Sequence, residues 1–144
     1  MPWNLSPDKP RISIVDDDSS MRQSLARLLR VAGFLPVKFA SGDSFLKAQS
    51  GNPSACVLLD LRMPGLSGFD VKRQLAKSEP QLPVILLTAN ADEALRLEAK
   101  QEGFAACLCK TEDPSHLLSA IAQALQQKSF ASASSPKRNH WLDQ

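Results

Sequence analysis

The sequence predicts an α/β protein: a doubly wound (βα)5 domain, with a five-stranded parallel sheet between two layers of helices. Three observations predict it. Short apolar runs alternate along the chain with segments of helical period. Two of those runs, Cys56-Val57-Leu58-Leu59 and Val84-Ile85-Leu86-Leu87, are apolar without a break, as strands buried on both faces are. Four runs stop at a polar residue, namely Asp16 (followed by Asp17), Asp60, Thr88 and Lys110. Right-handed crossovers would bring those four strand ends to one edge of the sheet, where open parallel sheets bind their ligands.

Met1 to Pro10 is Pro-rich and aperiodic, with Trp3 as its one candidate anchor, and is expected to be a flexible lead-in. Ile12-Ser13-Ile14-Val15 is the first strand. The acidic run Asp16-Asp17-Asp18 follows, with Asp18 placed to cap a helix whose apolar stripe is Met21, Leu25, Leu28, Leu29 and Ala32. Gly33 stands where a helix C-terminal glycine belongs. Pro36 to Phe39 alternates, as a strand near a sheet edge does. Ser41 to Ala48 is a short helix with Phe45 and Leu46 inward.

The third strand delivers Asp60 at its end, before a turn marked by Pro64 and Gly65. Gly68 to Lys77 is helical, with Phe69, Val71, Leu75 and Ala76 as its apolar positions. The fourth strand ends at Thr88. Asp92 to Gln101 is helical with a thin stripe (Leu95, Leu97, Ala99), which predicts a weakly docked helix. Ala105 to Cys109 is the fifth strand. Asp113 caps a last helix that starts at Pro114, carries Leu117, Leu118, Ile121 and Leu125, and is expected to end near Lys128. Residues 11–128 therefore form the domain. The Ser/Ala-rich stretch 129–144 is expected to be a flexible tail, with Trp141-Leu142 as a weak contact.

Composition narrows the function. A net charge of +2 gives no case for nucleic-acid binding, and the basic pair Lys137-Arg138 is too small to make one. No apolar run reaches membrane-spanning length and no secretory signal is visible at the start, so a cytoplasmic protein is expected. The three cysteines lie in apolar runs, which suits buried thiols in a reducing compartment. Cys107 and Cys109 lack companions at metal-ligand spacing.

The polar strand ends carry the chemistry. Carboxylates meeting at one edge repel, by about 4 kcal/mol for a pair ~4 Å apart at an effective dielectric of ~20, so positive charge must sit among them. Hard oxygen donors at partial count suit Mg²⁺, which readily shares its ligands with phosphate. With Lys110 as a second cation and Thr88 as a hydroxyl donor, the set is built to transfer a phosphoryl group to Asp60. Each residue also has a plainer use: Asp17 or Asp18 as a cap, Thr88 as a loop cap, Lys110 as a solvated strand end.

These residues resemble the receiver domains of response regulators, the CheY-like superfamily, and most of all receivers of the FixJ type. The resemblance rests on Val15-Asp16-Asp17, on Leu59-Asp60-Leu61-Arg62-Met63-Pro64-Gly65-Leu66-Ser67-Gly68, on Pro83-Val84-Ile85-Leu86-Leu87-Thr88-Ala89 and on Lys110, and it covers Arg11 to Lys128. It implies the flavodoxin-like strand order 2-1-3-4-5. It implies Asp60 as phospho-acceptor, Thr88 as switch hydroxyl and Lys110 as phosphate-binding lysine. It implies Mg²⁺ held by Asp17, Asp60 and the Arg62 carbonyl, with Asp16 acting mainly through water. Arg62 and Asn90 would tune the phosphoryl lifetime.

The implied partners are a sensor histidine kinase or phosphotransfer protein and an unidentified downstream protein. The faces of the fourth and fifth helices are the place to look for a homodimer. Receivers of this type commonly continue into a helix-turn-helix domain, so a single-domain regulator and the receiver part of a longer protein both stand open.

Two positions depart from the family pattern. Cys107 stands where the family has an aromatic residue that swings with the threonine, and Thr111 follows the lysine where proline is usual. A trans peptide is expected there, since a non-proline cis bond costs ~2.5–4 kcal/mol. The departures keep a second function class open: a pseudo-receiver, binding partners without phosphorylation. A third class, an aspartate-nucleophile phosphatase, would place a general-acid Asp two residues after Asp60, where this chain has Arg62.

Overall fold

A computed structural model describes residues 9–132. The contacts expected of Trp3 and of Trp141-Leu142 lie outside the described residues, as do 1–8 and 133–144. Five strands and five helices alternate: β1 (Arg11–Val15), α1 (Ser19–Val31), β2 (Leu35–Phe39), α2 (Gly42–Gln49), β3 (Cys56–Asp60), α3 (Gly68–Ser78), β4 (Val84–Thr88), α4 (Glu93–Gln101), β5 (Ala106–Cys109) and α5 (Pro114–Ser132). All strand pairs are parallel and the order is β2-β1-β3-β4-β5, as expected.

The period of two along the strands divides the core in two. Ile12, Ile14, Leu58, Ile85 and Leu87 face one layer, where Leu25 and Leu29 of α1 and Leu117 and Ile121 of α5 pack. Val15, Val57, Leu59, Val84, Leu86 and Cys107 face the other, with Phe45 of α2, Val71 and Leu75 of α3, Ala99 of α4, and Phe104. β3 and β4 are buried at every position, which is why they read as unbroken apolar runs. β2 is an edge strand, so Pro36 interrupts no central ladder.

The helix starts are chemically specified. Asp18 accepts the Ser20 and Met21 N–H groups at the head of α1. Ser67 and Asp70 form a reciprocal capping box at α3. Asp92 caps α4 by accepting the Leu95 N–H at 2.8 Å. Asp113 accepts the Ser115 N–H at 2.9 Å as α5 begins. On α4 only Ala99 is fully buried, while Leu97 is 56% exposed, in line with its thin apolar stripe.

α5 differs from the expected end near Lys128 and continues to Ser132. Alanine and serine are tolerated in a helix that the preceding turns have already nucleated, so low complexity alone does not stop it.

Candidate phosphoryl-acceptor site

The C-terminal ends of β1, β3, β4 and β5 meet at one edge and bring the predicted set together. Asp16 is 2% exposed, Thr88 5% and Asp60 7%; these are polar groups held almost out of water. Asp17 and Arg62 are exposed at the rim. The Lys110 ammonium bridges the two buried acids, 3.0 Å from Asp16 Oδ2 and 3.1 Å from Asp60 Oδ1.

Backbone bonds fix this arrangement. The Lys110 N–H donates to the Thr88 carbonyl at 2.7 Å, locking the exits of β4 and β5 together. The Asp16 N–H donates to the Phe39 carbonyl at 3.1 Å, and Asp16 Oδ1 accepts the Asp18 N–H at 3.0 Å. One residue escaped the sequence reading: the Arg22 guanidinium on α1 donates to the Asp16 carbonyl at 2.7 Å. Its helical position gave no sign of this, because the bond runs back across the acidic turn.

Behind Asp60 the chain turns tightly. Gly65 adopts a φ of 82°, in the left-handed region. Gly68 is needed for another reason. A Cβ there would lie 2.7 Å from the Asp60 carbonyl oxygen and 3.0 Å from Leu61 Cα, so α3 can start this close to β3 only without a side chain.

In front of Asp60 lies an open cleft of about 330 Å³, whose walls include Asp60, Arg62, Thr88, Asn90 and Lys110. The Thr88 hydroxyl accepts the Asn90 N–H at 3.4 Å, a bond internal to its own loop.

The electrostatics follow from burial. Removal from water pushes the Asp60 carboxyl up to about 6; the Lys110 hydrogen bond opposes this and the Asp16 charge adds to it. Burial also works against the Lys110 ammonium. Its pairing with the Asp16 and Asp60 carboxylates outweighs burial and holds its pKa above the ordinary value.

The donor set fits a hard divalent cation. Carboxylate oxygens of Asp16, Asp17 and Asp60 all lie within 4.8 Å of one another. Asp16 Oδ2 is buried without a hydrogen bond of good geometry, and Lys110 meets it only as an ionic neighbour. A buried oxygen with an ionic neighbour but no hydrogen bond, beside two other carboxylates, leaves coordination capacity that a cation or its water would use.

The two departures are also placed. Cys107 is 1% exposed and burial pushes its thiol up to about 11, so it acts as a small core side chain. No cis peptide occurs among the described residues, which includes the Lys110–Thr111 bond.

Fold and site together define a doubly wound signalling-type domain with an acidic, lysine-bridged pocket at its strand ends. Residues 12–122 match the response regulator receiver domain, and the chain belongs to that family. It is 34% identical to nodulation protein W of Bradyrhizobium diazoefficiens over 83% of this chain and 52% of that protein. It is also 34% identical to the transcriptional regulatory protein FixJ of the same organism, over 88% of this chain and 62% of that one. The chain thus spans little more than half the length of these relatives. Among solved structures it resembles a receiver domain protein from Clostridium thermocellum (TM-score 0.79, 30% identity, covering 85% of this chain and 98% of that one). It also resembles the response regulator StyR (TM-score 0.78, 35% identity, 88% of this chain and 64% of that one). Receiver domains of this family are signalling domains rather than classical enzymes. No helix among the described residues is long and apolar enough to cross a membrane.

Proposed function

We propose that this chain is a phosphorylation switch of two-component signalling in the cytoplasm, taking its phosphoryl group on Asp60 from a phosphohistidine of a sensor kinase or phosphotransfer protein. The observation that carries the reading is the Lys110 ammonium shared between Asp16 and Asp60 at the floor of an open cleft. That cation already sits where an oxyanion on Asp60 would need one.

A carboxylate oxygen of Asp60 attacks phosphorus, and the P–N bond to the donor imidazole breaks. The electron pair stays on that nitrogen, which takes up a proton. Lys110 would pair with the new phosphoryl oxygens, exchanging one carboxylate partner for a dianion. Thr88 would turn its hydroxyl from Asn90 toward the phosphoryl group. Asp17, Asp60 and the Arg62 carbonyl would hold Mg²⁺, with Asp16 reaching it through water. When bound, Mg²⁺ supplies positive charge against the transferring phosphoryl oxygens. The acyl phosphate would then bias a two-state equilibrium, altering affinity for a downstream protein or for a second copy of the chain.

Intact mass after incubation with acetyl phosphate and Mg²⁺ tests this. The wild type should gain one phosphoryl group, and Asp60→Asn should gain none. Labelling of Asp60→Asn would refute the site assignment. The buried Cys107, in place of an aromatic residue, favours a second reading: a module that binds partners without phosphorylation. No labelling of the wild type would select it.

A further inference from the structure

The backbone carbonyl of Cys107 is held by a side chain from another element. Arg96 of α4 reaches across to β5 and makes three connections. Its Nε donates to the Ala91 carbonyl at 3.1 Å, one terminal nitrogen donates to the Cys107 carbonyl at 2.6 Å, and the other pairs with Glu112 Oε2 at 3.1 Å. Glu112 lies just past β5, and the same oxygen accepts the Cys109 N–H at 3.2 Å. His116 Nδ1 lies 3.2 Å from Glu112 Oε1.

One guanidinium therefore ties the loop after Thr88 to the middle of β5 and to the turn into α5. Burial works against the charge on Glu112, yet the Cys109 N–H, His116 and Arg96 hold its carboxyl below the usual range. The pair is part-exposed, with Arg96 38% and Glu112 26% accessible, so it is fixed by its forked geometry more than by isolation from water.

Thr88 and Ala91 are joined by only two residues, Ala89 and Asn90. A shift of the Thr88 backbone toward Asp60 would be passed through those two residues to the carbonyl that Arg96 holds. We propose that Arg96 and Glu112 form a latch that clamps the Thr88–Ala91 loop to β5 in the resting domain, supplying the loop-to-β5 coupling that Cys107 is too small to make, and that this latch opens as Asp60 is phosphorylated. The proposal rests on Asp60 being the acceptor. Arg96 is a positioning residue in it: it touches neither the cleft acids nor the transferred group.

The direction follows. A contact made only in the resting form holds back the phosphorylated form, so removing it speeds phosphorylation. The test uses the full chain with acetyl phosphate and Mg²⁺, reading the initial rate of mass gain for wild type, Arg96→Gln, Arg96→Lys, Glu112→Gln and the Arg96→Gln/Glu112→Gln double variant. Amide exchange over residues 88–92 and 107–112 is read on the same proteins.

Each single variant should label threefold to tenfold faster and exchange faster in both segments. The double variant should add little to either single, because both partners serve one contact. Arg96→Lys should behave like Arg96→Gln, since an ammonium pairs with Glu112 but cannot span two carbonyls as well. A general structural defect would slow labelling, so a gain in rate separates the two. Unchanged rates, additive effects or unchanged exchange would overturn the latch. Absence of labelling in the wild type would remove the acceptor reading and the gating role with it, whatever the exchange shows.

Discussion

Asp60→Asn should make the protein more stable in the absence of divalent cations, although it removes an ion pair. Lys110 lies 3.1 Å from Asp60, an attraction of about 5 kcal/mol at an effective dielectric of ~20. Against it, an Asp16 carboxylate oxygen lies within 4.8 Å, a repulsion of about 3.5 kcal/mol or more on the same scale. Asp17 adds a smaller share because it is exposed. Little attraction is left to offset the several kcal/mol it costs to take a carboxylate out of water.

The balance is a net cost of about 3 kcal/mol, consistent with a carboxyl raised from 3.8 to about 6 at ~1.4 kcal/mol per unit. Asparagine keeps the shape and loses the charge, while Lys110 retains Asp16 at 3.0 Å. Urea unfolding in EDTA at neutral pH should therefore show Asp60→Asn more stable than wild type by about 1–3 kcal/mol, the denatured state being the common reference. Mg²⁺ at ten times its dissociation constant should raise the wild type by about 1.4 kcal/mol and narrow the gap. If Asp60→Asn is less stable than wild type in EDTA, Lys110 wins over burial and repulsion, and Asp60 carries no net electrostatic cost.

Two further outcomes follow from the same geometry. Lys110→Met should act in the opposite sense: it strands two buried carboxylates and should cost about 3–5 kcal/mol in EDTA, with part recovered in Mg²⁺, again read by urea midpoint. Gly68→Ala should cost about 1–3 kcal/mol, because its methyl would meet the Asp60 carbonyl and Leu61 Cα, which are backbone and cannot swing away; an unchanged midpoint would show that α3 shifts freely.

What the chain discloses before folding depends on how local the signal is. β3 and β4 were legible because burial on both faces leaves an unbroken apolar run, and each ends in the polar residue that matters, Asp60 or Thr88. Asp18, Asp92 and Asp113 announced helix starts, since a cap needs only the N–H groups two or three residues on. The end of α5 was not legible, because alanine and serine in 129–132 carry no stop signal.

Lys72 shows a second limit. It is 7% exposed on α3, its amine 5.9 Å from the centre of the Phe104 ring, and burial lowers its pKa. Only the tertiary position of Phe104 reveals that its stem covers apolar surface. Arg96 is the same case at the position proposed as the latch. Its three partners lie on three segments, and nothing in a helix sequence says which carbonyls will stand opposite.

The cleft also bears on why the proposed reaction would stop at the acyl phosphate. Hydrolysis on a similar sheet needs a group to direct water or to protonate a leaving group. Two residues beyond Asp60 stands Arg62, exposed at the rim, a cation that cannot act as an acid near neutral pH. Thr88, Asn90 and Lys110 offer the cleft a hydroxyl, an amide and an ammonium, none of them a base for water. Asp92, also on the cleft wall, commits a carboxylate oxygen to the Leu95 N–H. His116, the histidine among the described residues, faces Glu112 on α5. Asp16 and Asp17, the carboxylates beside Asp60, are the ones proposed to hold Mg²⁺ and its water, so under that reading no carboxylate is left over to direct a second water at the acyl phosphate, which would suit a stored signal. A cation arriving among the three carboxylates would relieve their repulsion and offset the charge that a phosphoryl group adds, and under the proposed latch that relief would be free energy available to open the contact between Arg96 and Glu112.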